Sequence, residues 1–301
     1  MIDFRLKTFL ILCEALSYTK AAEILHITQP AVSQHIKYLE EEYKVKLFTY
    51  DGKSLSLTES GKILYDFLIG VDSSSKRTKL IMSIPKESLP PIHFGTTLTI
   101  GEFTMPKLIS EMLKDFPNME ITMEVANTET LLKKLEKGEI DFALIEGHFD
   151  KYKYNSFLFS KESFIGVCAP SNSLSEETVS FDEIFKERLI LREKGSGSRE
   201  IFEQILYEHN SSMNNFKNIL EIGNISVIKE LVAGNFGITF LYEEAVKMEL
   251  KRGTLKKINI NDLDVDREFN FTSLKNSLHA EEYKRWYNYL INKRNKMEEI
   301  K

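Results

Sequence analysis

The chain has 301 residues, 42% hydrophobic and 28% charged, which is enough apolar sequence for two or three cores rather than one. Its net charge of −5 excludes a protein that coats nucleic acid through a bulk positive field. Residues 1–85 are near neutral, with eleven Lys/Arg against ten Asp/Glu, so any DNA contact there has to come from a few well-placed groups.

Residues 3–16 read as an amphipathic helix, because Phe4, Phe9, Leu12 and Leu16 recur near helical spacing. Thr19 stands where it can cap a second helix over residues 20–26, and Thr28 caps a third. Gln29 and Pro30 fill the first turn of that third helix, where a missing N–H costs little. So short a break forces the two axes to cross steeply at close range, and Ala21, Ala22 and Ala31 are small enough to allow it. Val32, Ile36 and Leu39 form the apolar face of the third helix, and Gln29, Pro30, Ser33, Gln34 and Lys37 the other. That second face is polar and, Lys37 apart, uncharged. Gln and Ser both donate and accept at base edges in a major groove, and Lys37 reaches a phosphate. A plain helical hairpin with a polar surface accounts for the spacing equally well.

The stretch that follows favours DNA. Leu47 and Phe48 end the helical pattern, Asp51-Gly52 is a hairpin turn signal, and Leu55 and Leu57 alternate after it. A two-stranded wing beside a helix-turn-helix makes a winged helix. Thr58 then caps a long helix to about Ser83, along which Leu64, Phe67, Leu68, Val71 and Leu80 recur. An apolar side on a helix attached to so small a domain has to be covered, most simply by a second copy of the chain.

The run TKAAEILHITQPAVSQHIKYLEEEYKVKLF, followed by LSLTESGKIL, resembles the N-terminal domain of LysR-type transcriptional regulators. The resemblance implies that the third helix enters the major groove, the wing touches the neighbouring minor groove and the long helix pairs two subunits. On this chain the DNA-contacting set becomes Thr19, Thr28, Gln29, Pro30, Ser33, Gln34, Lys37 and Lys53, and the pairing set Leu64, Phe67, Leu68 and Val71. The wing departs from the family pattern: Tyr50, Asp51 and Gly52 stand where arginines are usual, with Lys53 the single basic residue. That departure weakens or redirects the minor-groove contact.

Ser88 to Pro91 reads as a linker. Strand and helix patterns then alternate: strands at 92–98, 119–125 and 140–145 with helices at 101–116 and 128–137 between them. The pattern restarts with Phe164 to Ala169, continues through strands near 188–191, 219–222 and 237–241 and helices at 198–208 and 226–233, and ends in a helix at 279–296. Such alternation implies a largely parallel sheet with helices on its faces. The segments GTTLTIGEFTMPKLISEMLKDFP, LEKGEIDFALIEG, LILREKGSGSRE and VAGNFGITFL resemble the effector-binding region of the same family, an α/β pair of subdomains like type 2 periplasmic solute-binding proteins. The expected organisation is a winged helix-turn-helix at 1–60, a linker helix and hinge at 58–90, and an effector domain at 91–301. Subdomain I of that domain takes 91–163 and 266–301, and subdomain II takes 164–265.

Open α/β sheets bind ligands beyond the carboxyl ends of their strands, beside helix N-termini. Thr96, Thr97 and Thr99 follow the first strand, Asn127 and Thr128 the second, and GSGSR at 195–199 lies between a strand and a helix. Hydroxyls and free N–H groups at helix starts make an anion site. Taken singly, each of these residues is as well explained as a helix cap. The resemblance gathers Thr97, Thr99, Asn127, Thr128, Ser196, Ser198, Arg199 and Asn224 into one cleft, with Arg199 either adding charge or bracing the loop through Glu193 or Glu200. It also implies a small-molecule effector, here a small anion, as in family members governing sulfur assimilation.

GSGSRE lacks the Lys-Ser/Thr of a P-loop and the third Gly of a dinucleotide fingerprint. The six histidines are scattered, with His148 alone near a strand end, and Cys13 and Cys168 show no metal spacing and read as free thiols. No nucleophile or acid–base constellation points to an enzyme, no metal or cofactor is expected, and no secretory signal or span of about 18 apolar residues points to export or a membrane. A cytoplasmic, ligand-controlled regulator of promoter DNA is the expectation. By resemblance it is a homotetramer of two dimers, with RNA polymerase as a further partner. The competing readings are a cytoplasmic small-molecule-binding protein and a DNA-binding protein whose α/β half serves assembly alone.

Overall fold

The structure, a computed structural model, describes residues 2–52, 54–85, 88–147, 149–261 and 263–299. Helices α1 (Phe4–Ala15), α2 (Tyr18–Leu25) and α3 (Gln29–Tyr43) open the chain. Asp3 caps α1, and Leu16 ends it in the left-handed region at φ 45. Leu16 is therefore exposed rather than part of the apolar face. Phe4 is exposed too, its ring edge-on to His35. Ser17, not Thr19, caps α2: its extended backbone lets Oγ accept from the Lys20 N–H, and Thr19 lies inside the first turn. Thr28 caps α3, accepting from the Ala31 N–H, with Pro30 in the first turn. Phe9, Leu12, Val32, Ile36 and Leu39 fill the small core, and Ala21 and Ala22 are buried where the helices cross.

Strands β1 (Phe48–Asp51) and β2 (Ser54–Leu57) form the wing. Asp51 pairs with Ser54, and Gly52 takes φ +64, the left-handed geometry that so tight a hairpin turn requires. Thr58 then caps α4 (Glu59–Ser83), accepting from the Gly61 N–H and donating to the Lys46 carbonyl.

The second half comprises β3 (Ile92–Thr96), a π-helical turn at Ile100–Thr104, α5 (Met105–Asp115), β4 (Ile121–Val125), α6 (Thr128–Glu136), β5 (Phe142–Ile145) and the long β6 (Tyr154–Cys168). Then come β7 (Thr178–Val179), α7 (Phe181–Ile184), β8 (Arg188–Leu191), α8 (Gly197–Glu208), β9 (Asn218–Glu221) and α9 (Ile225–Ala233). The chain ends with β10 (Thr239–Tyr242), α10 (Glu243–Arg252), β11 (Lys256–Ile260), β12 (Asp266–Leu274) and α11 (Ala280–Glu299).

The sheets are mixed rather than largely parallel. β3 runs parallel to β4 and β5, and β8 parallel to β9, but β12 runs antiparallel to both β5 and β6. The reason is that β6 is shared between the lobes, whereas β12 lies wholly beside β5 and the first part of β6. The first part of β6 pairs with β12 up to Ser163 opposite Asp266; from Phe164 onward β6 pairs with β10 and β11 instead. The lobes are thus joined by β6, which runs through both, and by the return of the chain from β11 to β12, and the end of β5 meets the start of α8 in the narrow crevice between them.

Much of α4 is covered by its own chain. Leu68 is 2% exposed within the winged-helix core, so it is not free to pair with a second subunit, and Leu64 is half-buried against the same core. Further along, Gly70 lies against Asn276, the Ser74 Oγ accepts from the Leu278 N–H, and the buried Arg77 donates to the Pro91 carbonyl and to Asp141 and Glu282. The apolar residues of α4 left outward are Ile63 and Phe67, with Leu80 and Met82 near its end. No helix among the described residues is long and apolar enough to cross a membrane.

Candidate effector crevice and nucleic-acid interface

Thr28, Gln29, Pro30, Gln34 and Lys37 are exposed on one side of α3, with Ser33 half-buried between them. The Gln29 side chain donates to Ser33 Oγ at 3.0 Å, and Lys37 sits 3.7 Å from Glu41 one turn on, a pair exposed enough to open without much cost. His35 is turned inward: its Nδ1 lies 2.9 Å from Thr8 Oγ1. Thr19 is exposed on α2. Tyr50 is exposed at the wing, and Lys53 lies outside the described residues.

The crevice is organised by a residue the sequence reading did not single out. Glu146 follows β5 directly and is 1% exposed. Its Oε1 accepts from Thr99 Oγ1 at 3.2 Å and from Ser198 Oγ at 3.3 Å; its backbone carbonyl accepts from Thr128 Oγ1 at 2.7 Å. Thr99 and Thr128 come from the first lobe, Ser198 from the second. Two backbone features bring them together. The π-helical turn after Thr99 replaces the regular helix start expected at 101 and leaves the Thr99 hydroxyl free of capping. Gly197 lets the second lobe approach: a Cβ there would stand 2.9 Å from Glu146 Cγ and 3.0 Å from its carbonyl oxygen. The GSG of the loop is therefore a contact surface.

Burial is the main force on the Glu146 carboxyl and pushes it up to about 7; the Arg192 charge and the two hydroxyls pull the other way. Arg192, at the end of β8, is 5% exposed, and its Nε and Nη2 are held by Glu193. Tyr242, at the end of β10, is buried, and its hydroxyl is held well above its ordinary value by that burial and by the charge of Glu146. Six buried polar atoms in these strand ends and the loop before α8 have no hydrogen-bond partner among the described residues: Thr96 Oγ1, Thr97 Oγ1, Ser196 Oγ, Glu146 Oε2, Arg192 Nη1 and Tyr242 Oη. Such a concentration is costly unless something occupies the place.

Of the expected set, Thr97, Thr99, Thr128, Ser196 and Ser198 are buried at the crevice. Three others have different work. Arg199 pairs with Glu203 and Glu221 and donates to the Arg192 carbonyl, which braces the loop. Asn224 is exposed and caps α9 through the Val227 N–H, next to Gly223, which lies beside Glu193. Asn127 caps α6 through the Thr130 N–H, although its amide edge also lies beside Gly195 of the opposite lobe. His148 lies outside the described residues. Cys13 and Cys168 are free and buried. Glu146 and Arg192 carried a signal, each being a charged residue that closes an apolar run, FALI-Glu and LIL-Arg.

Comparison with known proteins agrees with both halves. Residues 4–62 match the model of the bacterial regulatory helix-turn-helix protein, lysR family, and residues 87–294 that of the LysR substrate binding domain. HTH-type transcriptional regulator MJ0300 of Methanocaldococcus jannaschii is 29% identical over 87% of this chain and 88% of its own. HTH-type transcriptional regulator CysL of Bacillus subtilis is 27% identical over 88% and 89%. An OxyR mutant of Corynebacterium glutamicum superposes with a TM-score of 0.60 at 21% identity, covering 97% of this chain and 92% of that one, a likeness of fold. These relatives are regulators rather than enzymes, and the chain belongs to the LysR family of DNA-binding transcriptional regulators, with a helix-turn-helix followed by a small-molecule-binding α/β domain.

Proposed function

We propose that the protein controls a promoter in response to a small anion bound in the crevice between its two lobes. The observation that carries this reading is the excess of buried donors without partners there, Thr97, Ser196 and Tyr242 hydroxyls and Arg192 Nη1, around two hydroxyls already turned on a carboxylate oxygen. An anion that binds one arrangement of the lobes more tightly than the other shifts the population toward it and repositions the DNA-reading helices. The protein works as a dimer paired through the outward side of α4, at Phe67 and Ile63 rather than Leu64 and Leu68, and as a tetramer of two such dimers in the cytoplasm, with RNA polymerase as a further contact. A second reading, an α/β half that serves assembly alone, draws on Glu146 itself taking the Thr99 and Ser198 hydroxyls that a ligand would use.

The test is binding of the full chain to promoter fragments selected from its own genome, with and without small anions. An anion-dependent change in affinity or footprint that is lost in Thr97→Ala supports the sensor. Anion-independent binding by both proteins supports the assembly reading.

A further inference from the structure

The crevice holds an acceptor as well as donors. Glu146 Oε1 is satisfied by Thr99 and Ser198, but Oε2 is buried with no partner among the described residues. The charge of Arg192, at the end of β8, acts on this carboxyl, and the carboxyl in turn acts on the Tyr242 hydroxyl at the end of β10; Glu193 and Arg199 bond to Arg192. A fully deprotonated oxyanion brings acceptors alone: it satisfies Arg192 and the hydroxyls but leaves Oε2 unmatched. An oxyanion that keeps a proton on one oxygen brings acceptors for the donors and one donor for Oε2.

We propose that Glu146 makes the crevice selective for small oxyanions that carry an ionisable proton, Oε2 accepting the hydrogen bond from that proton, and against oxyanions of the same shape that carry none. This deepens the anion reading and rests on it. Hydrogen phosphate and sulfate separate the two ideas, being tetrahedral and doubly charged alike at pH 8, where only the first keeps a proton. Sites built to match a particular donor reject an analogue lacking it by several orders of magnitude in the strongest cases, and here a preference of about 100-fold is expected. Protonating Glu146 turns Oε2 into a donor and removes the discrimination, so the measurement is made above the range where burial holds the proton on.

The experiment is calorimetric titration of the full chain at pH 8 with inorganic phosphate and with sulfate, repeated with Glu146→Gln. The native protein should bind phosphate about 100-fold more tightly than sulfate. The glutamine amide donates to either anion, so the preference in the variant should fall below about tenfold. Sulfate binding by the native protein is also measured at pH 6, where its affinity should rise by about tenfold or more, a readout that needs no variant to fold. Equal affinities in the native protein, a preference unchanged in Glu146→Gln, or a sulfate affinity indifferent to pH overturns the selectivity while leaving the anion site standing. Absence of binding by either anion to either protein overturns both.

Discussion

Ser198 Oγ donates to Glu146 Oε1 across 3.3 Å, from the start of α8 to the end of β5, so a hydrogen bond to a buried carboxyl ties one lobe to the other. Gly197 beside it leaves no room for a side chain between the lobes. A ligand that competes for either partner changes how the lobes are held.

The same carboxyl makes stability depend on pH. Its folded value, about 7, lies above its ordinary 4.5, so the folded state binds the proton more tightly than the unfolded state. Stability is greatest with respect to this group below the unfolded value and is lost as pH rises through about 7, by on the order of 3 kcal/mol. Glu124 and Glu268 have depressed values and act in the opposite sense, losing stability as pH falls, so the contrast with Glu146→Gln isolates the effect. Urea unfolding between pH 5 and pH 8 should show the native protein losing stability relative to the variant; parallel profiles would show that Glu146 is not held protonated.

Arg77 fastens α4 to the effector half. It is 5% exposed and reaches the Pro91 carbonyl at 2.7 Å and Asp141 at 3.2 Å. Arg77→Ala leaves the half-buried Asp141 and Glu282 without their cation, a loss of about 3 kcal/mol. Chemical unfolding should show it, with faster amide exchange in the second half of α4. Native exchange rates there would mean that the helix is held by its small residues alone.

Leu68 and Phe67 are neighbours in sequence with opposite roles. Leu68→Glu puts a charge into the winged-helix core and should unfold that domain, read as loss of cooperative thermal unfolding and of DNA binding. Phe67→Glu keeps the fold and should lower the mass in solution. A folded Leu68→Glu monomer would restore Leu68 to the pairing face.

On α3, Gln34 and Lys37 separate reading from holding. Gln34→Ala should cost roughly 1–3 kcal/mol at one base position and relax preference there. Lys37→Ala should weaken all sequences alike and reduce the salt slope by about one ion. Uniform loss on all DNA in Gln34→Ala would remove direct readout by that side chain.

The winged helix was legible because its signals are local: Thr28 and Thr58 cap the helices they precede, Asp51-Gly52 makes the turn, and the three-and-four spacing of Val32, Ile36 and Leu39 marks a buried face. Ser17 displaced Thr19 as a cap because capping depends on backbone extension, which spacing does not reveal. Leu68 was misplaced for a different reason. Periodicity shows that one side of α4 is covered, and only the packed structure shows that the cover is the chain's own winged helix. In the crevice, loop hydroxyls announced themselves as possible caps, whereas Glu146 and Arg192 were absorbed into strand segments. Their meaning depends on two distant strand ends facing each other. Arg199 and Asn224 fit an anion site by residue type, but their nearest partners, Glu221 and the Val227 N–H, had already claimed them.

The most direct test of the sensor is thermal unfolding of the full chain at pH 8 with and without inorganic phosphate, beside Thr97→Ala and Ser198→Ala. Phosphate at 100 times its dissociation constant should stabilise the native fold by about 2.7 kcal/mol, a readily visible shift, and the shift should vanish in both variants. A native protein that melts at the same temperature with and without phosphate, or variants that keep the full shift, would contradict an anion site in this crevice.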